Sequence, residues 1–440
     1  MKMKYTAIIA VVLAASAFAV PESSSKDSDV GVFWHFTDTH LYPQYKKGTS
    51  ATVGFCRTLV GFAGKYGHYD CDSPAILINL AVDALMNRTV EPDFILYGGD
   101  HLAIFDTSLD KSAVVDRLEN ITNYLAMIKR MHPKTKIFPV LGNHDVVPQF
   151  QFAEQGPFYV YTAAAQLWQR FVSEESVKTL NHSAYYTELI TPGLRLVALN
   201  TVILYAENKK VSTKIEDPAG QFAWLRNVLE NARKNGERVI ITSHIPPGLG
   251  DLSHAKCYHA KFATRFIKAL DGYNDIIVGS FYGHNHLESF RIIKDLNSEN
   301  AHIGFLTSSV TPKYHINPSV TLYKYKKSYP FTILDRIPYY LDLDAIDKSK
   351  GEPKWISAGS EAEIYGIPDM SNTTVVKLVE RMGEDEELFM NFYHRIHMLQ
   401  NDNKCNKKCR HKVLCVVKNP DNELAKKCFK KSDELFPDDE

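Results

Sequence analysis

NDIIVGSFYGHNHLESF, residues 274–290, begins as an apolar run of buried-strand length and breaks off at Gly283, His284, Asn285 and His286. Five further segments share this form: GVFWHFTDTH (31–40), DFILYGGD (93–100), TKIFPVLGNHD (135–145), LRLVALNT (194–201) and RVIITSHIPPG (238–248). Each is a short apolar run stopped by Gly, Asn, Asp or His, the pattern of a buried strand leading into a loop. Amphipathic helices are predicted between them. In VVDRLENITNYLAMIKRM (114–131), Leu118, Ile121, Leu125 and Ile128 share one face, and in GQFAWLRNVLENARK (220–234) Phe222, Leu225 and Leu229 do the same. Strands alternating with helices predict an α/β layered fold whose central strands are covered on both faces. Ligand sites in such folds gather at the carboxyl ends of the strands.

Beyond about residue 300 the character changes. FLTSSVTP, SVTLYKYKK and PFTILDRIPYYLDLD read as a further sheet, with the aromatics of IPYYL as ordinary core. From Asn372 onward the chain reads as helical and carries Cys405, Cys409, Cys415 and Cys428.

Fifty-one basic residues balance fifty-one acidic ones, so nothing points to a nucleic-acid polymer or an anionic membrane as obligate partner. Lys2 and Lys4 precede TAIIAVVLAASAFA, closing on Ala17, Phe18 and Ala19, which is the order of a secretory signal peptide over residues 1–19. No other run is a transmembrane candidate, so a secreted or lumenal protein without a membrane anchor is expected. In an oxidising compartment clustered cysteines read as disulfides more readily than as a zinc site. Cys56 and Cys71 form a further candidate pair, leaving Cys257 as the odd thiol. Asn-x-Ser/Thr sequons stand at Asn87, Asn120, Asn181 and Asn372.

The residues that end the strands carry the chemistry. Asp38 and His40 follow the first run, Asp100 the second, Asn143, His144 and Asp145 the third, His244 the fifth, and His284 with His286 the sixth. If the segments stay extended, residues i and i+2 project to one side, so Asp38 with His40, and His284 with His286, address common points. Two carboxylates, four imidazoles and one amide form a ligand set of borderline hardness, suited to zinc, manganese or iron rather than calcium or copper. Seven ligands exceed one tetrahedral ion and fit two if one carboxylate bridges.

DTH, GGD, GNHD, SHIPPG and GHNH, in this order and spacing, resemble the calcineurin-like metallophosphoesterase signature. The longer matches FTDTHLYPQY, YGHYDCDSP, PVLGNHDVVPQ, DPAGQFAWL and FYGHNH resemble the acid sphingomyelinase-like phosphodiesterases, and the resemblance covers nearly the whole chain from about Phe33. It implies two mixed β-sheets flanked by helices over residues 30–371 and a small helical, disulfide-bonded C-terminal subdomain over 372–440. It implies two zinc ions, with Asp38, His40, Asp100 and His286 on one, and Asn143, His244, His284 and the bridging Asp100 on the other. His144 becomes the acid that protonates the leaving alcohol, oriented by Asp145. The terminal disulfides map to Cys405 with Cys409 and Cys415 with Cys428. The family carries a second histidine four residues after the bridging aspartate, where this chain has Ile104. His101 is an alternative source of that imidazole, the other reading being that His144 acts alone.

The resulting expectation is a secreted monomeric phosphodiesterase in which a metal-generated hydroxide attacks a nucleotide or choline-headgroup diester. Two alternatives stand beside it: a sphingomyelin phosphodiesterase releasing ceramide and phosphocholine, and a non-enzymatic binding protein retaining the fold. Asp38 follows the expected cleavage site by fewer than about twenty residues, which argues against a lipid-presenting domain ahead of the catalytic one.

Overall fold

In the computed structural model, which describes residues 29–51, 55–86, 91–104, 106, 108–349, 352–400 and 404–436, the apolar runs form strands and the polar residues that stop them lie in the loops beyond. The expected signal peptide and the Asn87 sequon fall outside the described residues. The strands are β1 (Val30–Phe36), β2 (Phe94–Tyr97), β3 (Lys136–Pro139), β4 (Tyr186–Thr191), β5 (Leu194–Ala198), β6 (Arg238–Thr242), β7 (Ile277–Tyr282), β8 (Ser289–Lys294), β9 (Ala301–Leu306), β10 (Ser319–Lys326), β11 (Ile333–Tyr340) and β12 (Ile356–Ser357).

They form two six-stranded sheets, ordered β12-β11-β10-β1-β2-β3 and β4-β5-β6-β7-β9-β8. β1, β2 and β3 run parallel, as do β5, β6, β7 and β9, while β10 to β12, β4 and β8 pair antiparallel. Both sheets are mixed, as expected. The strands after residue 300 do not make a sheet of their own, however. β9 enters the second sheet, and β10 pairs with β1 from Val30↔Lys326 to His35↔Thr321. Without β10 the inner edge of β1 would present unpaired backbone groups.

The sheets face each other across aromatic side chains. Phe33 of β1 stacks between Phe94 (4.3 Å) and Tyr323 (4.9 Å) and meets the edge of Phe281 from the second sheet at 5.3 Å. Helix Lys111–Met131, capped by Asp110 on the Ala113 N–H, buries Leu118, Ile121, Leu125 and Ile128, the face its periodicity predicts. Helix Gln221–Lys234 buries Phe222, Leu225 and Leu229. Its first turn is held by Asp217, which accepts from the N–H groups of Phe222 and Ala223.

Helices Asn372–Glu384, Glu386–Ile396, Lys407–Lys418 and Asn422–Leu435 form the C-terminal region. Their Val375, Leu378, Phe389, Phe392 and Val413 join the same buried cluster as the sheet residues. Disulfides link Cys56 to Cys71, Cys405 to Cys409 and Cys415 to Cys428, and Cys257 is a buried free thiol. Among the described residues no helix is long and apolar enough to cross a membrane.

Candidate metal centre

The carboxyl ends of β1, β2 and β3 meet those of β6 and β7 where the two sheets abut, and all seven candidate ligands sit in the loops just past them. The backbone there is not extended. Asp38, His40, Asp100, His284 and His286 have φ of 52°, 37°, 56°, 69° and 59°. The i, i+2 pairs therefore converge through left-handed turns and not through strand alternation, a correction to the geometric part of the sequence argument. Tight interlocking explains the glycines. A Cβ on Gly142 would stand 2.0 Å from Asp100 Oδ1, and one on Gly99, at φ 94°, would meet the Gly142 nitrogen at 2.5 Å.

His40 and His244 each donate Nδ1–H to a carbonyl, of Leu102 and Gly98, at 2.7 Å. A ring nitrogen facing a carbonyl carries the proton, so in the neutral ring Nε2 offers a lone pair. His40 Nε2 lies 3.2 Å from His286 Nε2, and Asp38 Oδ1 lies 3.2 Å from that same His286 nitrogen without making a hydrogen bond. Beside them His244 Nε2 stands 3.1 Å from Asp100 Oδ2 and 3.0 Å from Asn143 Oδ1. Asp38 Oδ1, Asp100 Oδ2, Asn143 Oδ1 and, in the neutral rings, the Nε2 atoms of His40 and His244 are acceptors crowded together, an arrangement that repels unless positive charge enters. Asp38 with His40 and His286, and Asp38 with Asp100 and His244, are two groups whose ligand atoms fit one cation each. The demand for positive charge also appears in the titration. Burial alone would lower His244, yet Asp100 and Asp38 hold it up at about 9. Burial would raise Asp38, yet His286 and His244 hold it well below the usual carboxylate range.

Each carboxylate spends its other oxygen on positioning. Asp38 Oδ2 accepts from the Thr37 hydroxyl (2.7 Å) and the His284 N–H (3.0 Å), and Asp100 Oδ1 accepts from the His144 N–H at 2.7 Å. Asp100 Oδ2 also lies 3.7 Å from His40 Nε2, which puts it between the two groups. Asp38 Oδ1 has a similar station, 3.7 Å from His40 Nε2 and 4.0 Å from His244 Nε2. His284 belongs to neither tight group. Its ring stands nearly perpendicular to those of His244 (5.3 Å) and Tyr205 (5.1 Å), and burial pushes it down to about 3.

His144 packs edge-on against His40 at 5.1 Å, and burial pushes it down to about 4. Its Nδ1 meets Gln149 Oε1 at 2.9 Å, and the Gln149 Nε2–H donates to the Ala103 carbonyl. That relay fixes the amide orientation and leaves Nε2 as the nitrogen able to carry a transferable proton. Gln149 lies within PVLGNHDVVPQ, but a lone glutamine carries no signal of this role. Asp145, expected to orient His144, does something else: its oxygens accept the N–H groups of Gly142 (2.8 Å), Asp100 (3.0 Å), His101 (2.8 Å) and Leu102 (3.3 Å). His101 is no substitute for the missing family imidazole. Thr39 Oγ1 and Asn120 Oδ1 hold its two ring nitrogens at 2.7 and 3.0 Å, and Ile104 is buried.

The loop bearing His284 and His286 has its own anchor. Arg291 pairs bidentately with Asp251 (2.8 and 2.9 Å), and Asp251 accepts from Asn285 Nδ2 at 2.9 Å. Nothing in GLGDLSHAK marks Asp251 for this part.

The sequence profile of the calcineurin-like phosphoesterases matches residues 31–288, and that of the acid sphingomyelin phosphodiesterase C-terminal region matches 294–435. The chain is 31% identical over 421 residues to acid sphingomyelinase-like phosphodiesterase 3b of Homo sapiens, covering 91% of this chain and 90% of that protein. It is 30% identical over 419 residues to the cyclic GMP-AMP phosphodiesterase of Rattus norvegicus, with 91% and 92% covered. Sphingomyelinase phosphodiesterase C of Dictyostelium discoideum is 32% identical over 427 residues, again with 91% and 92% covered. Among solved structures, a dimetal phosphatase of Danio rerio overlaps 70% of this chain and 95% of its own at a TM-score of 0.42 and 14% identity.

Proposed function

The chain belongs to the acid sphingomyelinase-like phosphodiesterases of the calcineurin-like phosphoesterase family, and from that premise we propose that it is a secreted enzyme hydrolysing phosphoric diesters at a centre of two divalent cations, zinc being the expected metal. The observation that carries the reading is the crowding of buried potential ligand atoms, with Asp38 Oδ1 and the Nε2 atoms of His40 and His286 within 3.2 to 3.7 Å and no hydrogen bond to Asp38 Oδ1. We assign Asp38, His40, Asp100 and His286 to one ion, and Asn143, His244, His284 and the shared Asp100 to the other. Held by these residues, two divalent cations would supply Lewis acidity toward the phosphoryl oxygens and would lower the pKa of water.

The chain's own residues do the remaining work. Leu102 and Gly98 carbonyls keep the His40 and His244 lone pairs turned inward, while Asp145 holds the Asp100 loop. His144, in its protonated form, delivers a proton to the departing alkoxide, with Gln149 fixing the ring. The attacking oxygen bonds to phosphorus as the ester P–O bond breaks, and the proton ends on the released alcohol.

Secretion is supported by the N-terminal pattern and the three disulfides. Of the sequons, Asn181 is exposed and the best candidate for a glycan, whereas both ends of the Asn372 amide are bonded to the backbone of Ile303 and Ile277. Names of relatives supply two substrate classes, cyclic dinucleotides and sphingomyelin. We favour nucleotide or choline-headgroup diesters, with sphingomyelin as the second reading. The test is metal content together with hydrolysis of bis-p-nitrophenyl phosphate, followed by a panel of CDP-choline, ATP, cyclic GMP-AMP and micellar sphingomyelin. A metal-loaded protein that turns over none of these would leave the binding-protein alternative standing.

A further inference from the structure

Leu59, Val60 and Phe62 are 68%, 96% and 95% exposed, and no other exposed large apolar side chain among the described residues exceeds 66%. Scattered single hydrophobics need no explanation, but the three most exposed among the described residues, crowded into four positions, do. They are not on a loose loop. Gly48 and Thr49 form a ladder with Gly61 and Ala63, through Gly48 N–H to Ala63 O (2.8 Å), Gly61 N–H to Gly48 O (3.0 Å) and Ala63 N–H to Thr49 O (3.0 Å). Ser50 and Lys46 add N–H bonds to the carbonyls of Leu59 and Cys56. The Cys56–Cys71 disulfide, buried with Ala63, clamps the base. The hairpin thus presents apolar side chains while satisfying much of its own backbone, as a segment entering a lipid interface must.

Its charges point the same way. From Leu41 to Tyr69 the chain has no acidic residue, and Lys46, Lys47 and Arg57 are exposed around the apolar tip. The facing carboxylates are Asp347, at Gly64 and within reach of Lys47, and Glu352, near Lys65, both next to the foot of the ladder. The hairpin also borders the metal centre. Tyr42, two residues after His40, accepts from Arg57 at 3.0 Å and packs on Phe55 at 5.0 Å. Lys313 lies over Phe55 at 5.6 Å, and the next residue, Tyr314, packs on His286 at 5.5 Å. The IPYYL run is strand core in β11, with Ile337 and Leu341 buried, so it offers no comparable surface.

We propose that the hairpin of residues 46–50 and 55–63 is a membrane-docking element that inserts Leu59, Val60 and Phe62 into the interface of a bilayer carrying anionic headgroups, with Lys46, Lys47 and Arg57 at headgroup level. This deepens the phosphodiesterase reading and rests on it for one consequence: the mouth of the metal centre is brought to headgroups of the surface on which the hairpin sits. Apolar side chains with flanking cations give weak, reversible, salt-sensitive binding.

The experiment uses the full processed chain with vesicles of phosphatidylcholine holding about one-fifth phosphatidylserine, read by co-sedimentation at low and high salt. Wild type partitions onto them; the double variant Val60→Ser, Phe62→Ser binds about tenfold less, and Lys46→Glu, Lys47→Glu loses the salt-sensitive part. Both variants turn over bis-p-nitrophenyl phosphate as wild type does, which reports an intact fold. No partitioning by wild type, or equal partitioning by the serine variant, overturns the proposal. So does a self-association seen by sedimentation velocity that the serine variant abolishes without any vesicle binding, which would make the patch a protein contact. Vesicle binding without diester turnover would leave the docking element standing and remove the catalytic reading instead.

Discussion

Replacing Asp145 by Asn changes one atom and should dismantle the Asp100 loop. The carboxylate serves four backbone N–H groups, Gly142 and Asp100 on Oδ2, His101 and Leu102 on Oδ1. An amide has one oxygen, so in either orientation two of the four donors face an NH2 group. Each such hydrogen bond to a charged acceptor contributes about 1.5 kcal/mol or more, and a buried donor left unsatisfied costs about 1 to 3 kcal/mol. Allowing for relaxation and non-additivity, the variant loses about 3 kcal/mol of unfolding free energy. Catalysis falls as well, by roughly 10 to 100-fold in kcat, because the loop carries Asp100 at φ 56°. The assay is the urea midpoint of metal-saturated protein at unchanged m, beside kcat and metal stoichiometry. A midpoint within about 0.5 kcal/mol of wild type would refute the claim that this carboxylate holds the loop. If in addition the pH–rate profile moved, the residue would be orienting His144 after all.

Asp251→Asn removes the charge that pairs with Arg291 and should lower stability at pH 7 by about 3 to 5 kcal/mol. Burial would raise the Asp251 carboxyl, but Arg291 holds it below its usual range, so its contribution is complete above about pH 4 and is lost as pH falls through the folded value; the gap between wild type and variant, read by urea midpoints from pH 7 down to 3, should close on that limb. His144→Ala should cost about 100-fold or more in kcat on diesters with alkyl leaving groups but far less on p-nitrophenyl esters, whose leaving group needs no proton. Gln149→Leu should show a milder loss of the same selectivity, and equal losses on both ester types would exclude an acid role. Asp100→Asn should lose a metal ion and more kcat than Asn143→Ala, measured at matched zinc. If Asp38→Asn alone loses both metals while Asp100→Asn keeps them, the bridge is Asp38.

Much of this site was legible because strand ends are punctuated by residues that do not continue a strand. Asp38, Asp100, His244 and His286 stood out for that reason, and the topology does bring their ligand atoms together. The partners of those residues were not legible. Pairing of β1 with β10 spans nearly 300 residues of chain, and no local pattern says that the late strands return to the first sheet. The edge strands β4 and β8 were missed because polar residues interrupt their apolar runs. His101 looked like a candidate because sequence adjacency to Asp100 suggests spatial adjacency. A left-handed turn at Asp100 sends the next ring the other way, onto Thr39 and Asn120. Asp145 and Gln149 act through bonds to backbone and amide groups, which composition and spacing do not encode.

Left-handed backbone at five of the seven positions proposed to hold metal has an evolutionary reading. Residues with a Cβ resist that conformation by roughly 1 kcal/mol each, and glycine does not. As long as the chemistry is needed, Asp or His must stand there and the fold carries the burden. Once it is not, glycine at 38, 40, 100, 284 or 286 relieves the burden, whereas alanine removes the ligand and keeps it. His286→Gly should therefore melt above His286→Ala although both are inactive. Among descendants of this chain, glycines drifting into these positions would mark the lineages that have stopped cleaving esters and kept the fold for something else.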